Sequence, residues 1–86
     1  MTGREVIDRI NTMRRTPLMW AVTREGFFMQ IAMMISIVYG LDVRKWERSL
    51  IKMPIELADS LDESFAIKIC DSALDLIEKS SRLPSP

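Results

Sequence analysis

Phe27-Phe28-Met29-Gln30-Ile31-Ala32-Met33-Met34-Ile35-Ser36-Ile37-Val38-Tyr39, closed by Gly40, is the stretch on which the fold turns. Among these residues only Gln30 and Ser36 are polar. At a helical 100° per residue they lie about 240° apart around the axis. A helix apolar nearly all round must be covered on nearly all sides. Gly40 suits the position after the last turn, because it adopts positive φ without penalty. Ala32, Ser36 and Gly40 recur every fourth residue, a small-residue stripe along which a second helix approaches closely. The segment is therefore expected to be the central element, wrapped by the rest of the chain or by a second copy.

Working outward from it, Thr16-Pro17 marks a helix start, with Pro17 at the first helical position. A continuous or gently broken helix is expected from Leu18 to Tyr39, with Thr23-Arg24-Glu25-Gly26 as the place where it would divide. Nearer the N-terminus, Thr2-Gly3-Arg4-Glu5 has capping-box spacing. Val6, Ile7, Ile10 and Met13 then repeat at helical intervals, which predicts a helix from Gly3 to Arg15. Downstream, Asp42 is a candidate cap for a helix over Val43–Met53, which Pro54 ends; a short helical turn over Ile55–Leu61 follows it. Ser60-Leu61-Asp62-Glu63 repeats the capping-box spacing ahead of a last helix that runs to about Ser80. Its apolar stripe is Ala66, Ile69, Cys70, Ala73, Leu76 and Ile77. The expected architecture is all-α: a small bundle of about four helices around a central apolar one. Residues 1–80 form one domain and 81–86 a frayed tail.

The chain has 86 residues, 12 basic and 12 acidic side chains, one cysteine and no histidine. A chain of this size buries only about 60–65% of the surface its unfolded form exposes. Without disulfides or a structural metal, self-association is the usual remedy. A homodimer is expected, with Phe27, Phe28, Ile31, Ala32, Met34, Ile35 and Val38 at its interface. Residues 1–52 carry nine basic and five acidic groups (+4), and residues 53–86 carry three and seven (−4). The halves either face one another or form opposite patches for partners. The lone cysteine and the lack of a visible leader point to the cytoplasm.

Several chemistries drop out. Lacking histidine, the chain has no His-based triad, general base or metal ligand, and one cysteine makes neither a disulfide nor a cysteine-only zinc site. No glycine-rich phosphate loop is present. Cys70 lies on an apolar stripe beside Asp71, which suits a buried small residue better than a nucleophile. Asp71, Asp75 and Glu78 share one helix face, either as solvated charge or as a partner-binding acidic stripe. Asp75 and Lys79 are spaced for an i,i+4 ion pair. No catalytic residue, metal or cofactor is expected. Methionine accounts for seven residues, four of them (Met19, Met29, Met33 and Met34) in or beside the central helix. Methionine fills irregular cores, the commoner use, and also lines adaptable binding surfaces.

The run from Ile35 to Arg48 resembles a helix-turn-helix motif: a small residue at Ser36, a turn glycine at Gly40, then a basic helix with Arg44, Lys45 and Arg48. That resemblance implies DNA contacts by these three residues. The run departs from the motif at Ile37 and Val38, which are apolar where polar residues are usual, and at Ser49, where a packed apolar group is usual. A membrane-associated protein is a further alternative. However, Phe27–Leu41 spans about 22 Å against a hydrocarbon core of about 30 Å, and lengthening it brings in Arg24 and Glu25. No membrane span is expected. The favoured expectation is a non-enzymatic protein-interaction module, an adaptor, sequestering protein or inhibitor of the kind common among phage and mobile-element proteins. Its contacts are expected from Arg44, Lys45 and Arg48 or from Asp71, Asp75 and Glu78.

Overall fold

A computed structural model of the chain describes residues 1–40 and 60–82. They are all-helical: α1 (Gly3–Arg15), a 3-10 turn (Pro17–Met19), α2 (Arg24–Tyr39) and α3 (Glu63–Arg82). The expected Val43–Met53 helix, its Asp42 cap and the Ile55–Leu61 turn lie outside the described residues, save for Ser60 and Leu61.

Helix α1 starts as its sequence predicts. The Glu5 N–H donates to Thr2 Oγ1 at 3.2 Å, and the Thr2 hydroxyl reaches Glu5 Oε1 at 3.3 Å. Val6, Ile10 and Met13 are its buried stripe. The continuous Leu18–Tyr39 helix is not observed. Pro17–Met19 makes a single 3-10 turn, held by Met19 N–H to Thr16 O and Trp20 N–H to Pro17 O. Thr16 does not cap it; its hydroxyl donates back to Thr12 O at 3.1 Å. The chain is then extended at Thr23 (φ −111°, ψ 156°), where Val22 O accepts from Leu61 N–H at 2.8 Å and Thr23 pairs with Ser60 as an isolated antiparallel bridge. The Val22 carbonyl is thus committed to the segment before α3, while the Thr23 carbonyl accepts from Phe27 N–H and opens α2, so no helix passes through Val22. Thr23 Oγ1 accepts from Gly26 N–H and begins α2 afresh. At the far end Gly40 takes the left-handed conformation (φ 65°), and its N–H donates to Ser36 O, as the sequence predicts.

The start of α3 also moves. Asp62, not Ser60, is the cap: its Oδ1 accepts from Phe65 N–H at 2.7 Å. A carboxylate at that place also opposes the positive end of the helix. The helix continues through Arg82.

Each of the three helices packs against the other two around one core. Phe27, Phe28, Ile31, Ala32 and Ile35 bury one side of α2. α1 supplies its own stripe, and α3 supplies Phe65, Ala66, Ile69, Cys70, Ala73 and Ile77. Five of the seven residues expected at a dimer interface are therefore buried within a single copy. Two amphipathic helices reach them, so they need no companion chain. Met34 and Val38 are half-buried. The small-residue stripe is divided: Ala32 is buried, while Ser36 and Gly40 face solvent. Across the bundle, Arg14 makes two contacts to Asp71, at 2.7 and 3.3 Å. The Tyr39 hydroxyl donates to Gly3 O at 3.1 Å, joining the end of α2 to the start of α1. A Cβ on Gly3 would sit 2.7 Å from that hydroxyl, so a larger residue there would displace the tip of the Tyr39 side chain.

Two positions about one and two-thirds turns apart on α2 test this arrangement. Ile31→Ala should cost about 2–5 kcal/mol, the range for emptying a packed core site. Ile37→Ala, at a site 77% exposed, should stay within about 0.5 kcal/mol. Urea denaturation of the two variants measures both.

Candidate functional site

At 100° per residue, the buried side of α2 and the row Met29, Met33, Ile37 lie about 170° apart. The sequence makes both sides apolar, and the bundle covers only one. Met29 is 44% exposed, Met33 55% and Ile37 77%. This corrects the expectation that these methionines fill the core; of the four near α2, only Met34 is half-buried, and Met19 is the most exposed.

Between this row and α1 runs an open groove of about 350 Å³. Met13 lies at its floor, and Met33, Met34, Ile37 and Val38 form its α2 side. Two polar groups stand in it. The Gln30 side chain is tied to the turn before α2, donating to Trp20 O at 2.7 Å. The Arg9 guanidinium lies 5.6 Å above the Trp20 ring, a cation–π distance that orients the side chain. Arg9 reads as ordinary polar surface and Gln30 as one of two polar residues in an apolar run, and only the crossing of α1 over α2 brings them to one groove. Leu18, Met19 and Val22 form a separate exposed apolar group on the connection between these helices.

A second hollow, of about 540 Å³, lies at the start of α3 among Arg24, Asp62, Ser64, Phe65 and Lys68. Two of its charges, Arg24 and Asp62, pair with each other. Arg24 Nη2 donates to Asp62 Oδ2 at 2.7 Å, and the guanidinium stacks 5.1 Å over the Phe65 ring. The Phe65 N–H and the Arg24 contact hold the Asp62 carboxyl below the ordinary carboxylate range. This arrangement joins α2 to α3 and leaves little of its charge for a ligand.

The sequence-predicted partner-binding residues divide. Arg44, Lys45 and Arg48 lie outside the described residues, as does most of the run resembling a helix-turn-helix. Asp71, Asp75 and Glu78 are exposed on α3. Of these, Asp71 is engaged by Arg14, and Asp75 pairs with Lys79 at 3.0 Å. Cys70 is fully buried. Burial pushes its thiol up to about 12, and the neighbouring Asp71 acts the same way. Among the described residues no three His, Cys, Asp or Glu side chains are grouped to hold a metal ion, and no helix is long and apolar enough to cross a membrane. Comparison with family models, curated proteins and solved structures finds no match to this chain.

The raised Cys70 pKa predicts a pH effect. The unfolded thiol ionises near 9.0 and the folded one near 12, so its contribution to stability is intact below about pH 9 and is lost as pH rises towards 12. The stability difference between the native protein and Cys70→Ala should therefore shrink between pH 8 and pH 10.5. Paired urea titrations at the two pH values read this directly, because other titrating groups cancel in the difference.

Proposed function

We propose that this chain is a non-enzymatic protein-interaction module, acting as an adaptor, sequestering protein or inhibitor through the open face of α2. The observation that carries the reading is the solvent-facing row Met29, Met33 and Ile37 beside an apolar groove. Contiguous exposed apolar surface is uncommon on a monomer and marks a place where something docks. Methionine suits such a surface, because its unbranched thioether adapts to a partner's shape. A cytoplasmic setting agrees with a single cysteine kept as a thiol.

Self-pairing is a second form of the same reading. The row repeats every fourth residue, the spacing at which a second α2 fits ridge to groove. The homodimer then involves Met29, Met33 and Ile37, with Met34 and Val38 at the edge, in place of the core residues first expected there. A DNA-binding regulator draws on Arg44, Lys45 and Arg48, and no described residue adds support for it.

The double variant Met33→Asp/Ile37→Asp tests the reading. Both sites are exposed, so helix content and unfolding midpoint should stay close to the parent's. Two carboxylates inserted into an apolar contact should weaken association by at least roughly tenfold. Sedimentation over a concentration series reads self-pairing, and affinity capture from host lysate reads a foreign partner. Association that survives in the double variant would move the working surface elsewhere.

A further inference from the structure

We infer that Met29 and Met33 are a paired, reversible oxidation site, at which a peroxide turns two thioethers into sulfoxides and the open face of α2 from apolar to polar. The use of that change as a switch rests on the protein-binding reading above; the chemistry itself does not.

Exposure decides which methionine a small oxidant reaches in the folded chain. Met33 is 55% exposed and Met29 44%, whereas Met13, at the floor of the neighbouring groove, is fully buried. Met34, the next residue along α2, is half-buried. The fold thus divides these four methionines into two that face water and two that the bundle shields in whole or in part. Cys70 is closed to the same reagent. It is fully buried and its thiol is pushed up to about 12, so almost none of the reactive thiolate forms. Met19 is more exposed still, but it lies on the connection before α2, outside the row, and serves as an internal control.

Met29 and Met33 are four residues apart, neighbours on one side of the helix. In the reaction a sulfur lone pair attacks a peroxide oxygen, and the O–O bond breaks as the S–O bond forms. With hydrogen peroxide, the leaving hydroxide takes the remaining proton from the oxidised sulfur centre and departs as water. The sulfur has lost two electrons and the peroxide has gained them. A thiol-dependent sulfoxide reductase reverses the change, as two thiols become a disulfide and the oxygen leaves as water. Oxidation makes two of the three members of the Met29–Met33–Ile37 row polar. Both sulfoxides stand in water, so they are hydrated where they are and α2 survives. The same change at Met13 would put an unpaired polar group in the core.

The full chain is treated with hydrogen peroxide, folded and in urea, and each sulfoxide is followed by fragment-resolved peptide mass spectrometry. In the folded chain Met29 and Met33 should react within about threefold of their rates in urea. Met13 should react at least about tenfold more slowly than in urea, because it is reached only when the core opens. Circular dichroism should show the helices retained. On a phenyl matrix the oxidised chain should elute earlier than the parent, and sulfoxide reductases for both epimers should restore the parent's elution. The shift on oxidation should be at least about twofold smaller in Met29→Leu/Met33→Leu, which keeps Met19. Met29→Gln/Met33→Gln should elute early without peroxide. Met29 and Met33 protected as strongly as Met13 overturn the assignment, as do helices lost on oxidation at these two sites or a shift undiminished in the leucine variant. Each of these failures leaves the protein-binding reading standing. Association unchanged in Met33→Asp/Ile37→Asp removes the switch from this face and leaves the oxidation site in place.

Discussion

Helix α2 carries more apolar circumference than two neighbouring helices can cover, and the rest of the structure follows from that excess. α1 and α3 are each amphipathic, with one stripe to offer. Val6, Ile10 and Met13 meet α2 from one side; Phe65, Ile69 and Cys70 meet it from the other. Together they dry Phe27, Ile31 and Ile35 completely, or within 2%. Burying side chains of this size stabilises by about 1.5–3 kcal/mol each, which holds the three helices together. The side left over is equally apolar, and there the groove forms.

An all-apolar helix has no amphipathic preference of its own about how it is turned, so its rotation has to be set by its ends. At the start, Val22 O accepts from Leu61 N–H, and Arg24 is held between the Asp62 carboxylate and the Phe65 ring. At the finish, Tyr39 donates to Gly3 O. Gln30 adds a third restraint through Trp20 O. A turn of α2 by one residue, about 100°, would break these contacts and bring Gln30 or Ser36 towards the core with no partner there. The few polar groups at and along α2 thus specify its orientation more than they strengthen it, a division of labour familiar from buried polar positions in coiled coils. The Met29–Met33–Ile37 face points outward because these restraints hold it there.

Helices α1 and α3 were legible because amphipathic periodicity and capping are local signals. Val6, Ile10 and Met13 repeat at the right spacing, Thr2 caps as its spacing predicts, and Gly40 stops α2 where a left-handed residue is needed. The break at Trp20–Thr23 was not legible as placed. Nothing local marks Val22 O as the acceptor for a residue 39 positions away, and a non-local hydrogen bond decides against continuing the helix. The cap of α3 shows the same limit at shorter range: Ser60 and Asp62 both offer capping oxygens, and the pairing of Ser60 with Thr23 leaves the work to Asp62. The assignment of Phe27, Phe28, Ile31, Ala32 and Ile35 to an interface missed their burial within one copy for a related reason. It followed correctly from the composition of α2, but composition does not say how much of a circumference two neighbours cover. The groove combines Arg9 and Met13 of α1 with residues of α2, so neither segment alone shows that Arg9 and Gln30 share it.

Exposed apolar surface ordinarily invites indiscriminate association, and the chemistry of this face limits that. Leucine at positions 29 and 33 would support α2 about as well, since its helix propensity is close to that of methionine. The difference is in shape: a branched leucine presents a fixed knob, whereas the thioether chain reshapes around what it meets. Adaptability alone would make the face promiscuous. Arg9 stands beside it, and a held cation discriminates by charge where a bare apolar surface does not. Its guanidinium lies 5.6 Å above the Trp20 ring, which limits the freedom of the side chain. The crossing of α1 over α2 puts the adaptable apolar surface and the cation side by side.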